Sequence, residues 1–178
     1  MHVDPDGLVA QLDDRWNAFV GRQRVGALTA TVLGAPFASS VEGGAAHSAY
    51  DSLFRWARTR RKPTIDVWAA APAHRTRVAL TVEPISEDGT LELSLRVLNE
   101  RRRPPIALFD PSVERDDEEV KACGFCQRIL AFEWAEAETA VRQLRIPAHG
   151  PQPKLRPDVC DACERLVYAA CGGTRLIA

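Results

Sequence analysis

The sequence predicts an α+β protein, in which an antiparallel sheet carries helices on one face and a small cysteine-rich unit follows. Two consecutive segments, residues 74–83 and 91–98, alternate apolar and polar side chains with the period of two that half-buried antiparallel strands show. Residues 45–61 instead repeat apolar side chains with the helical period. All five cysteines lie after residue 120, which indicates a chemically distinct C-terminal unit.

The chain before the sheet is predicted to form one short strand and two helices. Residues 8–12 form the strand, and residues 15–22 form a helix with Trp16, Phe19 and Val20 on one side. Residues 26–44 are rich in Gly, Ala and Ser, so we expect loops there. The long helix over residues 45–61 ends before Pro63. Its core-facing stripe consists of Tyr50, Leu53, Phe54 and Ala57.

Three strands follow, over residues 64–69, 74–83 and 91–98. The positions expected to face the core are Thr76, Val78, Leu80 and Val82 on the second strand, and Leu91, Leu93, Leu95 and Val97 on the third. Residues 87–89 (Glu-Asp-Gly) predict the hairpin turn between them. The arginines at 101–103, followed by two prolines, are expected to end the sheet, and residues 106–109 to add a short extended piece.

A charge-dense segment marks the expected boundary between two units. Residues 114–121 read Glu-Arg-Asp-Asp-Glu-Glu-Val-Lys, which is typical of a solvated connector. The sequence therefore predicts an α+β domain over residues 6–114 and a cysteine-containing unit over residues 115–178.

Composition excludes several classes of protein. The chain has 178 residues and a formal net charge of −1, which argues against a protein that depends on overall electrostatic attraction to nucleic acid or acidic membranes. The N-terminus lacks the basic and then apolar pattern of a signal peptide. The uncharged run over residues 25–41 is shorter than the roughly 20 apolar residues of a membrane-spanning helix. We therefore expect a soluble, cytoplasmic protein with no membrane partner.

Two C-x-x-C pairs give the strongest chemical indication in the sequence. Cys123 and Cys126 form the first pair, and Cys160 and Cys163 form the second. Four thiolates complete the tetrahedral shell of a structural zinc ion, and the two-residue spacer lets the chain turn tightly enough to direct both sulfurs at one ion. Gly124 is expected to supply unusual backbone angles in the first turn. The sequence therefore predicts one structural zinc ion bound by these four cysteines.

The elements around the pairs indicate how they are presented. The first pair is expected at a hairpin, and the second at the start of a helix with Asp158 as N-cap and Asp161 completing a capping box. A helix over residues 133–145 separates the pairs. One pair at a hairpin and one at a helix start would be a treble-clef-like arrangement.

Two other chemistries fit a pair of C-x-x-C motifs less well. A thioredoxin-like redox site would require a βαβ context before the motif and would leave the second pair unexplained. An iron–sulfur cluster also uses four cysteines, although nothing in the sequence favours iron.

Other candidate residues have ordinary structural explanations. Cys171 is expected to be a buried apolar side chain, and His149 is unnecessary beside four thiolates. His47 and His74 are expected to be surface or hydrogen-bonded histidines. Two basic clusters are interpreted as solvated helix or strand ends, with phosphate or partner binding as the alternative. They comprise Arg55, Arg58, Arg60, Arg61 and Lys62, and Arg101, Arg102 and Arg103.

Catalysis is not predicted, because the sequence has no Walker-type loop and none of the motifs G-x-S-x-G, G-x-G-x-x-G and H-E-x-x-H. The order of one strand, helices, a long helix and three antiparallel strands resembles a PAS-type sensor domain. The segments that carry the resemblance are WNAF (residues 16–19), VLGAPFASSVEG (residues 32–43) and YDSLFRWARTRRKP (residues 50–63).

The C-terminal part is similar to a cysteine tail that follows PAS-like or receiver modules in bacterial signalling proteins. It reads CGFCQRI, then EWAEAETAV, then RPDVCDAC. The usual tail is closer to C-S-W-C-K-R-I with His-Gly before the second pair, and here Gly124-Phe125 and Pro157-Asp158 replace those residues. The four cysteine ligands carry over, whereas any role of the missing histidine does not.

The resemblance implies a sensory, regulatory or adaptor protein that binds a small molecule or a protein partner, with a homodimer as a further candidate. A flavin-adduct photosensor is excluded because no cysteine precedes Cys123, and a haem sensor would have only His47 near the long helix. Two alternatives remain open: a zinc protein that binds nucleic acid through the basic clusters, and a thiol-based redox sensor that releases zinc on oxidation.

Overall fold

The computed structural model of the protein describes residues 1–22, 33–37, 44–59 and 61–173. It confirms a mixed α+β protein. The strands are β1 (His2–Val3), β2 (Val9–Gln11), β3 (Thr64–Ala71), β4 (His74–Pro84), β5 (Leu91–Arg102), β6 (Arg115–Cys123), β7 (Ile129–Leu130), β8 (Trp134–Ala135) and β9 (Gln152–Asp158). The helices are α1 (Asp14–Arg22), α2 (Gly44–Arg58), α3 (Ala137–Gln143) and α4 (Asp161–Ala170).

The first sheet contains five strands in the order β2-β1-β5-β4-β3, and every neighbouring pair is antiparallel. Strands β4 and β5 form a long hairpin that runs from Pro84 opposite Leu91 to His74 opposite Arg102. Gly89 lies in its turn at a φ of 95°, a left-handed conformation that glycine adopts without steric cost. The predicted hairpin is therefore confirmed.

Helix α2 covers one face of this sheet because its apolar side chains recur on one side. Leu53, Phe54 and Ala57 are buried, and Tyr50 is partly buried, as the stripe predicts. The sheet side chains in the same core cluster include Val78, Leu80, Val82, Leu91 and Leu93. Each fully buried aliphatic side chain of this kind contributes roughly 1.5–3 kcal/mol. Burial of these side chains therefore joins α2 to the sheet.

Strand β5 differs from the prediction in two respects. It continues through Arg102 because the arginines keep their backbone N–H groups for pairing, and the first residue that cannot donate is Pro104. Val97, expected to face the core, is 46% exposed. The register shifts there, since Val78 pairs with Val97 while its neighbour Arg77 pairs with Asn99. This bulge breaks the alternation on which the prediction depended.

The second sheet has the order β8-β7-β6-β9, with β6 antiparallel to β7 and parallel to β9. The prediction of a connector at residues 114–121 is wrong, because most of this segment belongs to β6. Its charges are accommodated by opposite charges on the neighbouring strand: Lys154 Nζ lies 2.9 Å from Asp117 Oδ1, and Arg156 Nη1 lies 3.5 Å from Glu119 Oε2.

The prediction of a short extended piece at residues 106–109 is also wrong. Residues Ala107–Phe109 form a 3-10 turn, in which the Phe109 N–H donates to the Ile106 carbonyl at 3.1 Å. The turn buries Leu108 and Phe109, so these apolar residues pack in the core without forming a strand.

The helix between the cysteine pairs is shorter than expected. The prediction gave residues 133–145, whereas α3 covers Ala137–Gln143. Trp134, which was assigned to the apolar face of that helix, instead pairs with Leu130 between β8 and β7. A hairpin therefore precedes the helix, and the apolar spacing alone did not separate the two elements.

One hydrophobic cluster extends across the expected boundary near residue 115. It joins Leu80 and Leu93 of the first sheet to Phe125, Cys163 and Val167. A smaller cluster lies around the second sheet and contains Ile106, Leu108, Phe109, Ala122, Ile129, Ala137 and Ala140. The division into residues 6–114 and 115–178 stays a prediction, while the shared cluster places the cysteines directly against the first sheet.

Some predictions fall outside the described residues: most of the expected loops at 26–44, the side chain of Val20, and Arg60. Strand β2 and helices α1 and α2 lie where the sequence predicts them, within a few residues. Within the described ranges, every helix is too short or too polar to cross a membrane.

Candidate metal centre

The first cysteine pair lies in the turn between β6 and β7, which we call the first knuckle (residues 123–126). Ala122 of β6 pairs with Ile129 of β7, and the Cys123 N–H donates to the Arg128 carbonyl at 2.7 Å, so a hairpin presents the pair as predicted. The left-handed residue is Gln127, at a φ of 63°. The expectation that Gly124 supplies the unusual angle is therefore wrong, because the chain reverses after the second cysteine.

The second pair lies at the start of helix α4, also as predicted. Cys160 is the N-cap residue and Cys163 lies in the first turn. The N-cap assigned to Asp158 is wrong, and so is the capping box with Asp161, because Asp158 is the last residue of β9. Its carboxylate instead accepts a hydrogen bond from the Val159 N–H at 2.8 Å and pairs with Lys121 at 2.9 Å.

The strand pairing brings the two cysteine pairs together. Cys123 ends β6 and is the register partner of Asp158, which ends β9. The Gly124 N–H donates to the Asp158 carbonyl at 2.9 Å, and the Cys160 N–H donates to the Cys123 sulfur at 3.5 Å. A parallel strand pair thus places both knuckles at the same edge of the second sheet.

The four sulfur atoms have the spacing that one tetrahedral ion requires. The Sγ atoms of Cys123, Cys126, Cys160 and Cys163 all lie within 4.8 Å of one another, and Cys126 and Cys160 are 3.6 Å apart. A tetrahedral zinc ion with Zn–S bonds of about 2.3 Å separates its sulfurs by about 3.8 Å. The cysteines are free thiols, since the sulfurs lie too far apart for disulfide bonds. The donor set therefore fits a metal ion.

Burial distinguishes one of the four cysteines. The exposed fractions of Cys123, Cys160 and Cys163 are 0%, 1% and 4%, whereas Cys126 is partly exposed. Phe125 is also buried, and its ring stacks on Tyr50 of α2 with centroids 4.7 Å apart. The site is thus enclosed by the core on most sides and approaches solvent at Cys126.

The thiols of the cluster shift one another's pKa values. Hydrogen bonds from the Cys126 and Cys163 thiols hold the pKa of Cys123 well below its usual range. Hydrogen bonding to Cys123 in turn raises the pKa of Cys126 to about 12, and raises that of Cys163 as well. The directions differ because the Cys123 sulfur accepts hydrogen bonds that the other two thiols donate. A metal ion at this site would bind the four sulfurs as thiolates, so metal binding would release the protons that the thiols carry.

The first sheet holds the first knuckle through two further hydrogen bonds. The Trp68 N–H of β3 donates to the Phe125 carbonyl at 2.6 Å. The guanidinium of Arg75 on β4 donates from Nη2 to the Cys126 carbonyl at 2.9 Å. Arg75 also stacks over the Trp68 ring, 4.1 Å from its centroid. These residues lie far from the cysteines in sequence, so no local spacing could have identified them.

Glu136 completes this arrangement beside the knuckle. Its carboxylate pairs with Arg75 and accepts a hydrogen bond from Arg128 Nε at 3.1 Å. Two cations and one anion therefore lie next to the cysteine cluster. Such charges offset part of the net negative charge of a divalent ion with four thiolates.

The remaining predicted candidates lie outside the cysteine cluster. His149 is exposed, and Cys171 is buried as predicted. His47 lies on the surface of α2, 3.9 Å from Asp51, and His74 is partly exposed in β4. The histidines therefore have the ordinary positions that the sequence suggests.

Part of each basic cluster is engaged in contacts within the protein. Arg58 donates to the carbonyls of Asp4, Pro5 and Gly89, and Lys62 pairs with Glu83 at 2.7 Å. Arg103 donates to the Ala71 carbonyl at 2.9 Å and stacks over the Phe109 ring. These contacts connect elements of the fold, and phosphate or partner binding stays a prediction for the exposed residues Arg55, Arg61, Arg101 and Arg102.

Comparison with known proteins does not assign a family. A scan of protein-family models, a search of curated proteins and a search of solved structures each found no match. What is shown is a cluster of four cysteines whose geometry is compatible with a metal site.

Proposed function

We propose that the protein is a non-catalytic regulatory or adaptor protein whose fold is stabilised by one zinc ion bound to Cys123, Cys126, Cys160 and Cys163. The observation that carries the proposal is the convergence of four sulfurs at tetrahedral spacing inside the core. Four protein thiolates leave no coordination position for water or substrate, so the ion has a structural role.

Zinc is the ion that this donor set favours. Four thiolates at tetrahedral spacing suit zinc, which has no geometric preference that would distort the site. An iron–sulfur cluster also takes four cysteines, but it spreads them over two or more irons with inorganic sulfide between, whereas the four sulfurs here all lie within 4.8 Å of one another, as the ligands of a single ion do. The hairpin and helix that present the pairs support the treble-clef-like arrangement.

The PAS-like interpretation belongs to the same proposal. It is supported by the element order, by the antiparallel five-stranded sheet and by the packing of the long helix α2 on one face. The partner of such a module would be a protein, a small molecule or a second copy of the chain, in the cytoplasm. Fold resemblance alone does not determine which of these is bound.

Native mass spectrometry of the purified chain tests these elements together. We expect one zinc ion per chain, and the measured mass also reveals a co-purified small molecule or a dimer. A protein that contains iron, or no metal, would contradict the zinc site. A metal-loaded monomer that carries no ligand would direct the search to protein partners.

The redox-sensor alternative is favoured by one specific observation. Cys126 is partly exposed and its sulfur lies 3.6 Å from that of Cys160, so oxidation to a disulfide needs only a small movement. Mild peroxide should then release zinc and form a disulfide that dithiothreitol reverses. Retention of zinc under peroxide would exclude this function.

A further inference from the structure

The four-cysteine cluster is closed by the core except at one ligand. Cys123, Cys160 and Cys163 lie in the same buried cluster as Leu53 and Val167. Cys126 is the ligand at the surface, so an incoming group can approach its metal–sulfur bond without opening the core. The position of Cys126 therefore determines how easily the ion is exchanged.

A side chain from the first sheet controls that position. Arg75 is held on three sides: it stacks over Trp68, pairs with Glu136 and donates to the Cys126 carbonyl at 2.9 Å. The hydrogen bond fixes the backbone of the partly exposed ligand. Groups of this kind orient metal ligands, and their removal typically costs about 10–100-fold in metal affinity.

We propose that metal exchange proceeds through Cys126 and that Arg75, positioned by Glu136, is the residue that restrains it. This inference rests on the zinc site proposed above. A thiolate or chelator of small size binds the ion as the bond to the Cys126 sulfur breaks, and the released thiolate takes a proton from solvent. The competing ligand is thus a small sulfur or nitrogen donor, and Arg75 is a positioning residue.

The first measurement is the rate at which the zinc-loaded protein transfers its metal to an excess of the chromogenic chelator 4-(2-pyridylazo)resorcinol. Arg75→Ala should accelerate transfer about tenfold. Arg77→Ala is the matched control, because Arg77 lies two residues along the same strand, on the same face of the sheet, and pairs with Asp66. We expect that variant to release metal at the wild-type rate.

A second variant tests the same inference in case Arg75→Ala does not fold. Glu136→Gln keeps the size of the side chain and removes the charge that orients Arg75, and it should accelerate release by a smaller factor. Cobalt-loaded samples of each variant should retain the absorption spectrum of tetrahedral thiolate coordination, which shows that only the exchange rate has changed.

The route itself is tested by alkylation and by the chelator dependence. Iodoacetamide followed by peptide mapping should modify Cys126 before the other three ligands, and the transfer rate should rise with chelator concentration. Modification that begins elsewhere, a rate independent of chelator concentration, or wild-type release by both variants would overturn the exchange route alone. A chain purified without metal would overturn the zinc site, and the exchange route with it.

Discussion

Different features of the sequence determine the strand pairing in the two sheets of this protein. In the β4–β5 hairpin, apolar side chains alternate along adjacent strands, and their burial against α2 determines the register. Strands β6 and β9 are polar, parallel and separated by a hairpin and a helix. Their carboxyl ends instead carry Cys123 and, two residues beyond Asp158, Cys160. The convergence of the two cysteine pairs thus marks a strand pairing that hydrophobic alternation leaves unspecified.

The largest expected effect is the loss of the second sheet when the metal is removed. Structural zinc supplies about 10–16 kcal/mol of apparent binding free energy in small zinc modules, comparable with the 5–15 kcal/mol net stability of a typical domain. Cys160→Ser should therefore abolish hydrogen-exchange protection in β6, β9 and α4 while protection persists in β4 and β5.

Cys171→Ala is the matched control for this experiment, because Cys171 is buried but lies outside the metal cluster. It should retain one metal ion per chain. Equal protection of both sheets in Cys160→Ser would show that the second sheet does not depend on the ion.

A change in the first sheet should have a smaller effect and leave the metal in place. Leu93 is buried on β5, so Leu93→Ala removes apolar contacts and leaves a cavity, at a cost of about 2–5 kcal/mol. Urea unfolding of the metal-loaded protein measures this cost, and Ser94→Ala on the opposite face should change stability by less than about 0.5 kcal/mol. Loss of metal from Leu93→Ala would mean that the first sheet also determines the site.

The contact between α4 and α2 gives a third comparison. Gly172 and Gly173 end α4 at φ values of 70° and 71°, so alanine at either position costs about 1–2 kcal/mol in backbone strain. A Cβ at Gly172 would also lie 2.7 Å from Trp56 Cζ2, whereas one at Gly173 would meet Tyr168 Cε1 at 3.8 Å. Gly172→Ala should therefore be the more destabilising by about 1–3 kcal/mol in thermal unfolding. Equal costs would mean that Trp56 moves aside freely.

The smallest expected effect concerns the start of helix α1. The Trp16 N–H donates to Asp13 at 2.7 Å, and this bond, with the nearby N-terminal amine, lowers the pKa of Asp13 below 3.8. A lowered folded-state pKa contributes stability above the unfolded value, and that contribution is lost as pH falls through the folded one. Asp13→Asn should thus destabilise slightly at pH 6, with the difference vanishing below the folded pKa. Carboxyl NMR titration would contradict this if Asp13 titrates above pH 3.8.

The sequence predicted the features of the fold and of the site that depend on a local pattern of residues. The spacing of Cys123, Cys126, Cys160 and Cys163 predicts a shared metal, and the structure brings their sulfurs together. The β4–β5 hairpin follows from period-two alternation in the same way. The hairpin residues lie close together in the chain, and each cysteine pair is recognisable from its own C-x-x-C spacing although the two pairs lie far apart.

The predictions fail where contacts between residues far apart in the sequence determine the structure. Residues 114–121 read as a connector because the partners of their charges, Lys154 and Arg156, lie on a strand some 35 positions later. For the same reason the sequence did not identify Arg75 and Trp68, which donate hydrogen bonds to the carbonyls of Cys126 and Phe125. Side chains that act through the tertiary fold leave no periodic or spaced pattern in the sequence.

The hydrogen bond from the Trp68 N–H to the Phe125 carbonyl has a consequence for the apo protein in the cell. Strand β3 is the last strand of its sheet, and the first knuckle covers part of its outer edge. Exposed sheet edges recruit strands from other molecules. Loss of the proposed zinc ion would therefore uncover a strand edge prone to self-association, so that the ion would also protect the protein from aggregation.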